Sequence, residues 1–277
     1  MIKLLSSIIL LGVLAGCQTV KQVDGDLLAG ILTGEHRKTE NKARDQYRHP
    51  KQTLEFFGVT ENMTVVEIWP GQGGWYTEIL APLLRDQGKL YAAQFDPNSK
   101  IAFFQNSHHK FQQKLLSHPK IYDQVAVTIL QPPSHLDIAP AGSVDRVLTF
   151  RNIHNWMKAD QADAVFAAIF RALKPGGILG IVEHRGTSGS VQDKRALSGY
   201  VNEKTVTTLA NKAGFKLIDK SEINANPVDN HNHAKGVWTL PPTLRLQDKD
   251  RGKYLAIGES DRMTLKFIKC RSGKGTK

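Results

Sequence analysis

Two stretches of the chain concentrate residue types that could do chemistry. The first, Val65-Val66-Glu67-Ile68-Trp69-Pro70-Gly71-Gln72-Gly73-Gly74-Trp75, runs from an apolar segment into a glycine turn and then into a helical pattern. Glycines at such a turn let the backbone approach a ligand closely, and the start of the next helix offers N–H groups without intrahelical partners. The layout therefore suits a nucleotide-like ligand, although it also serves simply to pack a helix on a strand. The second stretch is polar: Asp229-Asn230-His231-Asn232-His233, followed later by Glu259-Ser260-Asp261-Arg262. His231 and His233 could face one way on a strand and bind a metal, but two donors do not make a centre. With no third evident, no metal is expected and solvated loop histidines are the plainer reading. Glu259, Asp261 and Arg262 carry the charges for an ion-pair network that would fix the loop.

The elements that must position these residues follow from hydrophobic periodicity. Short apolar runs alternate with longer amphipathic stretches, as expected of strands joined by crossover helices. Strands are expected at 64–68, 89–95, 124–129, 144–150, 178–182, 215–218 and 263–268. Helices are expected at 75–84, 98–116 and 202–213. A further helix, capped by Asp160, carries Val165, Phe166, Ile169, Phe170 and Leu173 on one face. Ile178–Val182 is wholly apolar, as a central parallel strand covered on both faces should be. Thr39–Phe57 reads as helical with a break at His49-Pro50, because the residue before proline disfavours helical backbone angles.

The first residues stand apart. Lys3 precedes an uncharged apolar run from Leu4 to Gly16 that ends in Leu14-Ala15-Gly16-Cys17. The run is short for a bilayer span and ends in small residues, the pattern of an export signal. It resembles the bacterial lipoprotein lipobox, which implies lipidation at Cys17; a plain secretory leader or signal anchor is the alternative. In that sorting pattern Gln18 implies an outer-membrane lipoprotein facing the periplasm. The expected organisation is a signal peptide at 1–16, a tether with one short helix at 17–38, a main domain at 39–270 with an insertion at about 223–261, and a basic tail at 271–277.

The 277 residues carry a formal charge of +11, which becomes +10 once 1–16 and their single lysine are removed. No basic stripe interleaved with aromatics accompanies this charge, so nucleic acid is not an expected partner; the charge could attract anionic lipid or surface polysaccharide, and a solvated surface is the plainer reading. With Cys17 lipidated only Cys270 remains, so no internal disulfide is available and stability must come from the core.

Taken in order, five segments resemble the class I S-adenosylmethionine-dependent methyltransferases, over about residues 50–222. They are Glu67-Ile68-Trp69-Pro70-Gly71-Gln72-Gly73, Asp96 after the second strand, Ser143-Val144-Asp145-Arg146-Val147, Leu173-Lys174-Pro175-Gly176-Gly177 and Ala213-Gly214-Phe215. The resemblance implies an α/β fold: a Rossmann-like seven-stranded sheet, six strands parallel and the last antiparallel, with helices on both faces. It implies S-adenosylmethionine as cofactor, with Gly71 and Gly73 admitting it to the backbone, Glu67 orienting the loop and Asp96 accepting hydrogen bonds from the ribose hydroxyls. Asp96 also reads as a turn residue before Pro97. Trp69 departs from the family by replacing its first glycine, and either closes the pocket or reshapes it. The family's acidic adenine contact is missing near Leu130-Gln131-Pro132.

Arg151-Asn152-Ile153-His154-Asn155-Trp156 is similar to the segment of small-molecule O-methyltransferases that carries their general base. By that resemblance His154 would take a proton from the methyl acceptor, a role suited to a group titrating near neutrality; a structural histidine at a strand end is the alternative. Arg151, Asn152 and Trp156 would line the same mouth, joined by His231 and His233 from the insertion. The chain as a whole resembles uncharacterised bacterial predicted methyltransferases. Two function classes follow. One is a methyltransferase for a small nucleophilic, possibly hydroxylated, molecule. The other is a lipid-anchored envelope binding protein that keeps the scaffold without the catalysis.

Overall fold

The computed structural model describes residues 23–270. The leader, Cys17, Gln18 and the tail at 271–277 lie outside the described residues. Seven strands form one sheet: β1 (Thr64–Ile68), β2 (Lys89–Gln94), β3 (Ala126–Ile129), β4 (Val144–Phe150), β5 (Leu173–His184), β6 (Phe215–Ser221) and β7 (Arg262–Lys269), in the spatial order β3-β2-β1-β4-β5-β7-β6. Pairing is parallel except on both sides of β7, which runs antiparallel to β5 and β6. The expected seven-stranded architecture is therefore present. Strand order reverses between β1 and β4, and in open α/β sheets the crevice at such a point is where ligands bind.

Side-chain alternation explains why helices cover both faces. Val65, Leu148 and Val182 face a core built with Leu28, Leu54, Ile79, Leu80 and Leu84. Their neighbours Val66, Val147 and Ile181 face the opposite core, with Val165, Phe166 and Ile169 from the helix Ala162–Ala172 and Val206 from the helix Glu203–Lys212. Each such fully buried side chain is worth about 1.5–3 kcal/mol. Gly180 permits a close approach within β5, because a Cβ there would lie 2.7 Å from the Phe57 ring.

Three expectations need correction. Residues 23–38 are not a free tether: the helix Gly25–Thr33 buries Leu28 and Ile31 in the core, so this segment belongs to the body. Pro82 lies inside the helix Thr77–Leu84 and has no N–H for the Glu78 carbonyl; the His36 ring donates to that carbonyl instead at 2.8 Å and ties the segment down. Asp160 does not cap the next helix. It takes a left-handed turn (φ +57°), and the cap position falls on Gln161 without a side-chain bond. Lastly, β5 begins at Leu173, since Leu173 pairs with Val144 across a register shift that absorbs the Pro-Gly-Gly signal.

Candidate active site

The carboxyl ends of β1, β4 and β5 and the start of β7 converge on one mouth. His154 opens the short helix Ile153–Lys158 after β4, and its Nδ1 faces Oε1 of Glu183 at 3.0 Å. Glu183 lies near the end of β5 and is fully buried. Its Oε2 accepts from the backbone N–H of Ile153 at 2.6 Å and of His154 at 3.4 Å, and its Oε1 also accepts from the N–H of His184 at 2.8 Å. An acceptor surrounded in this way holds the imidazole proton on Nδ1, which leaves the Nε2 lone pair as the basic atom. Nothing among the described residues bonds that nitrogen. The His154 ring lies 5.3 Å from that of His184 and 5.9 Å from that of Trp238, which the insertion supplies as a wall.

His154, Glu183 and His184 also offer three potential ligand atoms within 4.8 Å of one another, a grouping that sequence reasoning missed. The chemistry of the set favours a hydrogen-bonded relay. Both Glu183 oxygens are already engaged by N–H donors, and His184 Nδ1 is bonded to Ser260 Oγ. Burial, then the neighbouring His154, Arg151, Arg262 and Arg48, push the His184 imidazole well below its ordinary range.

Around Arg151 the mouth is strongly basic. Arg151 follows β4 in a left-handed conformation (φ +62°), and its guanidinium has no hydrogen-bond or ion-pair partner among the described residues. Beside it, Glu259 is held by Arg44 at 2.6 Å, Arg262 at 2.9 Å and Arg48 at 3.3 Å. Burial alone would raise the Glu259 carboxyl, but Arg48, Arg262 and Arg44 outweigh it and hold it at about 2.

On the β1 side, Glu67 is buried and accepts from Thr77 Oγ1 at 2.6 Å, a bond that links β1 to the start of the following helix. Desolvation raises its carboxyl to about 7. Gly71 takes φ +72° and its carbonyl accepts from Gln94 Nε2 at 3.0 Å. Open space lies over both Gly71 and Gly73, since an added Cβ would meet nothing within 4 Å at either. Asp96 forms the turn after β2, its Oδ1 accepting from the N–H of Asn98 at 2.8 Å.

Trp69 takes the left-handed backbone (φ +44°) at the position where the resembling family has glycine. Its indole Nε1–H donates to the Leu130 carbonyl beyond β3 at 2.9 Å, so the ring bridges from β1 across the end of β2. Phe95 lies 4.6 Å, Trp156 6.1 Å and Phe104 6.4 Å from it, centroid to centroid.

Four expected lining residues have other work. Trp156 is fully buried between Trp69 and Phe166 and belongs to the core. Asn152 is a brace, its Nδ2 donating to the Ile68 carbonyl and to Thr149 Oγ1. His231 pairs with Asp261 at 3.2 Å, and His233 with Asp229 at 2.8 Å. Asp229 also accepts from the Tyr200 hydroxyl and from the N–H groups of His231 and Asp261, so these histidines lock the insertion. The anticipated Glu259–Arg262 ion pair is present, and Asp261 pairs with Arg185.

No family model matches this sequence, and no curated protein matches it. Solved structures do. An S-adenosylmethionine-dependent methyltransferase from Aquifex aeolicus superposes with a TM-score of 0.53 at 16% identity, covering 82% of this chain and 93% of its own. The 4+2 cyclase SpnF gives 0.55 at 15%, covering 87% and 86%. Phosphoethanolamine N-methyltransferase 2 from Haemonchus contortus, in complex with S-adenosyl-L-methionine, gives 0.52 at 14%, covering 88% of this chain and 60% of its own. At these identities the likeness is one of fold, and the presence of a cyclase among the matches illustrates that the fold does not fix the reaction.

Proposed function

We propose that the protein is an S-adenosylmethionine-dependent methyltransferase acting on a small nucleophilic molecule. The observation that carries this reading is His154, held by Glu183 with Nε2 unbonded, at the strand-order reversal beside an open glycine turn. The cofactor, when bound, supplies an electrophilic methyl group. Gly71 and Gly73 fit its amino-acid end because nothing stands over them, and Asp96 fits the ribose because its Oδ2 has no partner among the described residues. The Trp69 ring narrows the adenine end, so full seating requires the indole to leave the Leu130 carbonyl. His154 Nε2 takes the acceptor's proton, and Glu183 stabilises the imidazolium while keeping the ring oriented. Trp238 and the locked insertion exclude water from one side.

The test is titration calorimetry of the chain from Gln18 onward with S-adenosylmethionine and its demethylated product. Micromolar binding, about −8 kcal/mol, that Asp96→Ala abolishes supports the reading. A folded sample that binds neither compound sinks it. That result would favour the second reading, a binding protein on a repurposed scaffold, for which the specific support is the buried Trp69 ring.

The Leu14-Ala15-Gly16-Cys17 segment supports lipid anchoring at Cys17, with Gln18 directing the protein to the periplasmic face of the outer membrane. Cys17→Ser should release the chain from the membrane fraction; continued sedimentation with membranes would refute the anchor.

A further inference from the structure

At one corner of the mouth three arginines share a single carboxylate. Arg48, Arg262 and Glu259 are 3%, 2% and 5% exposed at their side chains, and Arg44 closes the outer edge at 24%. All three arginines converge on the one Glu259 carboxylate. Arg48, whose guanidinium lies 4.6 Å over the Trp75 ring, keeps a buried Nη1 with no hydrogen-bond partner among the described residues. Arg151 brings a further guanidinium that makes no hydrogen bond or close ion pair among the described residues; it feels the same Glu259 charge and lies near enough to Arg48 and Arg262 for the arginines to lower one another's proton affinity. Glu67, a buried carboxyl on β1 that feels the Arg151 charge only weakly, is a poor counter-ion at neutral pH because burial raises it to about 7. Guanidiniums taken from water without partners are costly, and their planar donor forks match carboxylate and phosphate oxygens.

We propose that Arg48, Arg151 and Arg262 form an oxyanion subsite beside the His154–His184 pair, and that the molecule this protein acts on carries a carboxylate or phosphate group. A guanidinium pair gripping that group would fix the rest of the molecule against the His154 ring, while Trp238 bounds the opposite side. The assignment rests on reading this mouth as the acceptor side.

The experiment is thermal unfolding and equilibrium binding of the full chain with inorganic phosphate, with acetate and with chloride at matched ionic strength, all without S-adenosylmethionine. Saturable stabilisation by phosphate or acetate beyond chloride is expected, and the stronger of the two identifies the class of anion. Arg151→Met should weaken that binding at least tenfold while melting above wild type in chloride, because a repelling charge has gone. Arg151→Lys, which keeps the charge and loses the fork, should bind with intermediate strength. Equal effects of all three anions, or unchanged phosphate and acetate binding in folded Arg151→Met, would overturn the proposal. Because no cofactor is present, failure here leaves the methyltransferase reading standing, and failure of cofactor binding leaves the anion result standing.

Discussion

Trp69→Gly should weaken the free protein and tighten its grip on S-adenosylmethionine. Removing a buried tryptophan costs about 3–5 kcal/mol, cavity included. The bond to the Leu130 carbonyl accounts for roughly 1 kcal/mol of that. Glycine gives back about 1–2 kcal/mol by relieving the left-handed backbone at φ +44°. The net loss is therefore roughly 1–4 kcal/mol, centred on about 2.5 kcal/mol. Cofactor at a hundred times its dissociation constant adds about 2.7 kcal/mol, so the liganded variant should unfold near the same urea concentration as the free wild type. Urea titrations with and without cofactor, paired with calorimetry, measure both halves. Equal affinity in the two proteins would refute the view that the indole obstructs the crevice. A stability loss below about 1 kcal/mol would refute the packing argument.

Glu183→Gln replaces an acceptor of four N–H groups by an amide that must point its own donors at one pair of them, so a stability loss of about 2–4 kcal/mol is expected. Nitrogen chemical shifts of His154 should report the Nδ1–H form in the wild type and its loss in the variant, and an unchanged tautomer would exclude the orienting role. Glu67 stays protonated in the folded chain up to about 7, whereas its ordinary value is 4.5. The unfolded chain alone ionises between those values, so stability falls as pH rises through that window and levels off above it, a loss of about 3 kcal/mol at most. Glu67→Gln should lack this slope, and parallel urea midpoints for the two proteins from pH 4.5 to 8 would contradict the assigned burial. Zinc should leave the melting temperature unchanged, because both Glu183 oxygens are engaged; clear stabilisation lost in His184→Asn would make the His154–Glu183–His184 group a metal centre instead.

Much of the scaffold was legible because its signals are local. The apolar runs of β1 and β4 fall at the residues expected, and the helix Ala162–Ala172 buries Val165, Phe166 and Ile169 as its spacing requires. The site was less legible because its parts meet only through tertiary contacts. Glu183 and His184 follow an apolar strand and look in sequence like the start of a loop, although two titratable residues at the end of a central parallel strand are a signal that could have been used. Arg48 comes from a four-residue helix whose burial no periodicity predicts. Aromatic character at the motif suggests that Trp156 is a wall, whereas the neighbouring Trp69 and Phe166 draw it inward.

The docking of the segment at residues 23–38 sets the length of the proposed leash. Only Gln18 to Gln22 separate Cys17 from Val23, which is already buried against the body. Even fully drawn out, the six peptide steps from Cys17 to Val23 span about 20 Å. A chain moored at Cys17 would therefore stay within one protein diameter of the lipid headgroups.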